Sequence, residues 1–463
     1  MTDNEVSNVQ TENPLGTEPI GRLLRRFAVP SCISMIVNAL YNIVDQIFIG
    51  RGVGYLGNGA TSVILPLTVL ALGVSFLFGD GCAAFYSMKL GEKKPEEAAN
   101  SVGTAVLCAV IGGIVLGVVC SIFLSPLCWL TGATEAIYPY AMDYGRVIVA
   151  GLPMVVFFAG MSSIVRADGS PGYSMAGLLT GCVTNIVLDY IFVFPLDMGV
   201  RGAAIATVLG QAANTVIFLF YFRRFRQVRI TKKNFRIRLP YVRRICQLGI
   251  SSFIIQMSIV VIMIVTNKLL VFYGAKSKYG SDIPLTAMGV TMKINNILIA
   301  IMNGIAAGAL PIIGFNYGAR NLDRVKKTIK MSVGIAMLCG VAATFFFQMF
   351  PEQIISIFGS ESDLYVEFSV LCLRVFLLLC VLDGMNNVIP TCFQAVGRPG
   401  YSALSSCLRQ LILNIPPAII APVFVGVTGI LWNGPIACAS AFIINIIMIR
   451  KIFRKLEQEM GRG

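Results

Sequence analysis

Apolar positions along this chain come in long blocks separated by short polar punctuation. Residues 102–124, 202–222, 245–267 and 331–350 each run without a single charge. A bilayer crossing by a helix needs about 20 such residues. Residues 411–449 are also uncharged, too long for one crossing, and interrupted by Gly426 and Gly429, which predicts a hairpin of two. Weaker blocks at 22–50, 59–88, 137–166, 173–195, 284–316 and 364–394 bring the expected total to twelve helical spans. The predicted fold class is an all-α integral membrane protein.

Composition agrees with the pattern. Of 463 residues, 56% are hydrophobic and 13% charged, with a mean hydropathy of +0.77. Soluble domains carry about 25% charge, so a soluble enzyme, a disordered chain and a fibrous protein are all excluded. The net charge of +14 is concentrated rather than spread. Residues 223–244 hold ten Lys or Arg and no acid, which marks a cytoplasmic loop by the positive-inside rule and not a nucleic-acid surface. Counting outward, loops 91–97, 169–172, 317–327 and 397–400 and both termini are expected on the cytoplasmic side. The organisation that follows is a polar, disordered tail at 1–19, an N lobe at 20–222, a basic linker at 223–244, a C lobe at 245–450 and a C-terminal tail at 451–463. The start of the chain is polar and acidic, unlike a cleavable signal.

The two lobes share sequence. GSPGYS at 169–174 recurs as GRPGYS at 397–402, KLGEKKPEEA at 89–98 aligns with NYGARNLDRV at 316–325, and FAVPSCIS at 27–34 aligns loosely with LGISSFI at 248–254. These offsets cover six spans, an even number, so the halves keep one orientation. That is a parallel repeat, the arrangement of transporters with a cavity between two lobes.

Charged side chains inside the spans are the candidate chemistry, because each costs about 2.5–3.5 kcal/mol at the bilayer centre. In the first span Asn38, Tyr41 or Asn42, and Asp45 recur at helical spacing. In the fifth, Asn185 and Asp189 are one turn apart, and in the sixth Thr207, Gln211 and Asn214 form a stripe. Three polar stripes in one lobe are expected to converge, either as a structural network or as an ion or proton site. In the C lobe, Asp383 has Asn386 and Asn387 nearby, with Lys293 and Arg409 as the basic groups able to pair with it and Gln410 beside Arg409. Lys268 reads as a snorkelling residue, and Asp80 and Arg166 as packing or gating residues at cytoplasmic helix ends. Pro30 and Pro66 lie within spans one and two, where proline permits a kink. The 13 cysteines fall mostly inside apolar runs and read as small buried hydrophobes. There is no histidine and no metal-spaced cysteine cluster, so the commonest base and metal ligand are missing. No nucleophile motif appears either, so an enzyme is not expected.

PSCISMIVNALYNIVDQIFIGR, VRADGSP, the run N-x-x-x-D-Y followed by MGVRGAAIAT, and FQAVGRPG together resemble the multidrug and toxic compound extrusion (MATE) family, in its DinF-like and MepA-like branch. The resemblance implies two six-helix lobes and export of amphipathic, often cationic drugs from the plasma membrane by H+ or Na+ antiport. It implies a cation-coupling site at Asp45, Tyr41, Asn185, Asp189 and Thr207, where Na+ could use Asp45 and Asp189. It matches Asp383 to a tenth-helix aspartate of sodium-coupled members, and a C-lobe site there is expected to draw on Lys293, Gln256 and Asn387. The seventh-helix acid of sodium-coupled relatives is absent, with Ile259 near its place, and the fourth helix carries Ser162 and Ser163 where some relatives have an acid or amide. No cofactor beyond the coupling ion, no nucleic-acid partner and a monomeric chain in the lipid bilayer are expected. A lipid or lipid-linked saccharide flippase is the alternative reading, distinguished by cavity arginines in place of acids.

Overall fold

The computed structural model describes residues 13–280, 282–356 and 362–460. Its first six long helices are α1 (Ile20–Gly52), α2 (Tyr55–Gly91), α3 (Pro95–Ile122), α4 (Tyr138–Ala167), α5 (Pro171–Val193) and α6 (Gly199–Tyr221). The second half comprises α7 (Leu239–Gly274), α8 (Asp282–Gly318), α9 (Leu322–Met349), α10 (Asp363–Phe376), α11 (Cys380–Ala395), α12 (Pro399–Cys407), α13 (Ile415–Val425) and α14 (Asn433–Met460). Among the described residues there is no β-strand.

Among the described residues ten helical stretches are long and apolar enough to cross a bilayer, and α10 with α11, bent by 52°, makes an eleventh. The stretch 399–459 folds back on itself. Ser405 Oγ donates to Asn445 Oδ1 at 2.6 Å and Asn433 Nδ2 donates to Asn414 Oδ1 at 3.2 Å. Both bonds join residues on opposite sides of Gly426, whose φ of +70° lets the chain reverse. The hairpin expected there is therefore present, and counting its two arms separately brings the candidate spans among the described residues to twelve.

Backbone geometry repeats with the sequence. Left-handed residues occur at Lys93 and Arg320, at Gly169 and Gly397, and at Gly199 and Gly426. Each pair is separated by 227 or 228 positions and closes the same helix-to-helix turn. Pro171 and Pro399 then occupy the first turns of α5 and α12, where a missing N–H costs nothing.

The helices outrun the apolar blocks. Helix α7 begins at Leu239, so 239–244 are helical and the linker shortens to 222–238. Helix α14 continues to Met460, so most of the expected C-terminal tail is helical, with 461–463 outside the described residues. The expected disordered tail also needs correction. Residues 1–12 lie outside the described residues, but Asn13 caps a short helix, Pro14–Thr17. Buried Leu15 anchors this turn, and its carbonyl accepts from Asn316 Nδ2 and Arg324. Proline does not break α1, which runs unbroken through Pro30.

Contact between the lobes is concentrated at the end that carries the basic linker. There α1 packs on α8 and α2 packs on α7 and α8. Glycines set the approach: a Cβ on Gly81 would strike the Ile245 carbonyl, and one on Gly249 the Leu77 carbonyl. A Cβ on Gly308 would likewise lie only 2.6 Å from Ala28 Cα. Small residues permit this backbone proximity where lipid offers no hydrophobic drive between helices. Toward the other end the lobes part. On α1, Ile33, Leu40 and Ile47 are exposed on one face while Asn38 and Asn42 are exposed on the opposite face. On α7, Ile259, Val261, Met263 and Ile264 are all exposed, which uncovers more than one side of the helix.

Candidate functional site

Four helices of the N lobe deliver polar side chains to one place. Asp45 comes from α1, Tyr144 from α4, Asn185 and Asp189 from α5, and Thr207 from α6. Each lies four to eight residues from the helix end remote from the basic linker, about 6–12 Å along the axis at 1.5 Å per residue. Helical spacing puts Asn185 above Asp189, and close packing of α5 on α6 brings Thr207 against them. Asn185 Nδ2 donates to Thr207 Oγ1 at 3.2 Å.

The carboxyl groups of Asp45 and Asp189 face each other at hydrogen-bonding range, with the Asn185 amide beside Asp189. Asp189 is fully buried and Asn185 nearly so. Asp45 Oδ1, both Asp189 carboxylate oxygens, Asn185 Oδ1 and Gln211 Oε1 are buried and receive no hydrogen bond from a donor among the described residues. Buried polar atoms in a folded interior are normally satisfied. Two bare carboxylates in contact there repel strongly. The arrangement therefore asks for something positive between them, either one shared proton or a small hard cation, which prefers oxygen ligands. Tyr41, on the same helix one turn before Asp45, lies within electrostatic reach of both carboxyls.

Of the three expected stripes, Asp45, Tyr41, Asn185, Asp189 and Thr207 do come together. Asn38 and Asn42 do not: they are exposed, and Asn42 Nδ2 donates to the Asn38 carbonyl at 2.6 Å. Asn214 is structural, accepting the Gly181 N–H at 3.1 Å and fixing α6 to α5. Tyr144 is the residue that sequence reasoning missed. It is 8% exposed, lies beside Thr207 and is within electrostatic reach of both carboxyls. In the sequence nothing separates it from its polar neighbours Tyr138, Tyr140, Asp143 and Arg146 on the same half-span.

In the C lobe, Asp383 pairs with Arg409 and not with Lys293. Arg409 Nη2 lies 2.6 Å from Asp383 Oδ1, and Arg409 Nη1 donates to Asn387 Oδ1 at 3.1 Å. Cys438 Sγ also donates to Asp383, at 3.1 Å. Lys293 is exposed on α8, and Gln256 is half-buried on α7 outside this cluster. The two lobes thus share repeated turns and differ in chemistry: one holds a carboxyl pair, the other a closed ion pair.

A third polar group sits where the lobes touch. Arg166 is buried and donates to Ser162 Oγ at 2.7 Å and Ser163 Oγ at 2.8 Å. Ser163 donates to Asp80 Oδ1 at 2.6 Å, and Ser252 of the C lobe donates to Asp80 Oδ2 at 2.9 Å. Ser163 thereby bridges the arginine to Asp80, whose carboxylate is the counter-charge, and Ser252 ties that carboxylate to α7.

A family model described as MatE matches residues 30–191 and 250–420, once in each lobe. The multidrug export protein MepA of Staphylococcus aureus strain MSSA476 is 26% identical over 441 residues, spanning 93% of this chain and 94% of that protein. The protein of the same description from Staphylococcus saprophyticus is 27% identical over 448 residues, spanning 92% and 93%. Among solved structures, a MATE protein in complex with MaL6 superposes with a TM-score of 0.89 at 23% identity, covering 96% of this chain and 99% of its own. An outward-facing multidrug resistance MATE transporter of the MOP superfamily matches at 0.89 and 23%, over 96% and 98%.

Proposed function

Because the chain belongs to the MatE family, whose model covers most of both lobes, we propose that it is a cation-coupled antiporter exporting amphipathic, cationic compounds. The observation that carries this reading is the Asp45–Asp189 pair with its buried, unsatisfied oxygens. A coupled carboxyl pair titrates as a unit. It holds one shared proton when closed from water, and releases it when a cationic compound or water reaches the site. Asn185, Thr207, Tyr41 and Tyr144 stabilise the successive states by hydrogen bonding.

The export of drugs is carried over from the MepA relatives. The acidic character of the N-lobe site supports cationic cargo, and Arg409 is already neutralised by Asp383, which leaves the flippase reading less support. With the basic linker read as cytoplasmic, packing of the lobes at that end corresponds to a state open to the outside. Separation of those contacts and closure at the other end would complete alternating access in the plasma membrane.

The test is Asp45→Asn in proteoliposomes. Asparagine keeps the shape and removes the charge. Ethidium transport is expected to fall to the level of protein-free vesicles while insertion and yield stay normal. Unchanged transport at equal protein content would refute the assignment.

A further inference from the structure

The basic linker is folded, and it walls a pocket that the transport mechanism does not use. Residues 232–234 form a 3₁₀ turn closed by a reciprocal cap between Thr231 and Asn234. Asn234 is buried and donates to Asn100 Oδ1 at 2.9 Å, and the Arg236 carbonyl accepts from Thr104 at 2.9 Å. Gly103 lets this segment lie directly on α3, since a Cβ there would meet the Asn234 carbonyl. The result is an open pocket of about 490 Å³ between α3 and the linker. Arg229, Lys233, Arg236 and Arg238 line it, against one acid, Glu96. Among the described residues none of these four bases is in an ion pair.

A loop that serves only to set orientation needs charge and no shape. This one has both, and it has apolar neighbours in the wrong place for water. Ile237 is 56% exposed and Leu239 is 77% exposed, flanking Arg238 at the start of α7. Bases directed into a pocket with bare aliphatic side chains beside it match a molecule with an anionic head and an apolar tail. Basic pockets at the ends of membrane helices bind acidic lipid head groups in this way.

We propose that this pocket is a binding site for the phosphodiester head group of an anionic phospholipid, with Ile237 and Leu239 resting against its acyl chains. Placing that lipid in the inner leaflet rests on the topology proposed above; the binding itself does not. Free phosphate shares the head-group chemistry but makes no use of the exposed apolar pair, so the two sources can be told apart.

The experiment uses the full-length protein in detergent, with labelled phosphatidylglycerol and phosphatidylcholine as the two lipids. Three proteins are compared: the native chain, Arg229→Gln/Lys233→Gln/Arg236→Gln, and the charge-matched Lys451→Gln/Arg454→Gln/Lys455→Gln on the exposed end of α14. The native chain and the α14 variant are expected to prefer phosphatidylglycerol. The pocket variant should lose on the order of a hundredfold in that affinity, as the contribution of three bases at a membrane surface implies. Should that variant fail to fold, the exposed single change Lys233→Gln is expected to weaken binding by about fivefold. Excess inorganic phosphate should leave the lipid in place. Equal loss in both triple variants, no preference between the lipids, no loss in Lys233→Gln, or displacement by phosphate would each overturn the proposal.

Discussion

Asp383 and Arg409 hold each other in place, and that dependence is measurable. Their side chains are 10% and 15% exposed. Removing one partner of a buried pair leaves an uncompensated charge, at a cost of about 3–5 kcal/mol. Arg409→Leu and Asp383→Asn are therefore each expected to lower thermal stability in detergent markedly. The double variant Asp383→Asn/Arg409→Leu should recover much of the loss. A double variant as unstable as the sum of the singles would show that the pair is not energetically coupled. Sequence spacing located Asp383 and offered Lys293 and Arg409 as bases, but the expected site drew on Lys293, and the partner is Arg409. The choice is made by a turn of π-helix at Leu408–Ile412, which sets the direction of Arg409 and leaves no trace in hydropathy. At the N-lobe site the opposite holds. Asp45, Asn185, Asp189 and Thr207 were legible because one-turn spacing fixes a helix face. Tyr144 was not, because Tyr138, Tyr140, Asp143 and Arg146 crowd the same half of α4 and only the packing of that helix selects Tyr144.

Helices were easier to read than their ends. An apolar block gives the buried part of a span, whereas hydrogen bonding carries the helix into water. Thus α7 starts at Leu239 through Arg243 and Arg244, and α14 runs to Met460. The bend between α10 and α11 falls at 377–379, where there is neither proline nor glycine to announce it. The sequence repeat was a better guide, since its matching motifs land on matching left-handed turns. Packing of α2 on α7 depends on glycine at Gly81 and Gly249. Gly249→Val is expected to pry the lobes apart at the basic end and shift the protein away from the state described here. Spin labels at Lys94→Cys and Asp323→Cys, in a background with reactive cysteines replaced, report this as a lengthened inter-lobe distance. An unchanged distance would mean that the contact does not govern closure.

At the scale of the molecule, charge and chemistry are distributed unequally over a duplicated frame. The basic linker lies at the end where the lobes meet, and the carboxyl pair lies toward the other. Placement of the linker in the cytoplasm is tested by Lys232→Cys in the same cysteine-replaced background. This thiol should resist impermeant reagents in intact cells and react after permeabilisation; labelling in intact cells would invert the topology. The central claim is that the Asp45–Asp189 pair couples transport to a proton. Proteoliposomes are loaded with ethidium, and a pH gradient or a sodium gradient is imposed separately. With acid on the side that receives the ethidium and sodium equal on both sides, transport should be rapid in the native protein and absent in Asp45→Asn. If a sodium gradient at equal pH drives full transport and a pH gradient drives none, the pair binds sodium and the proton account is wrong.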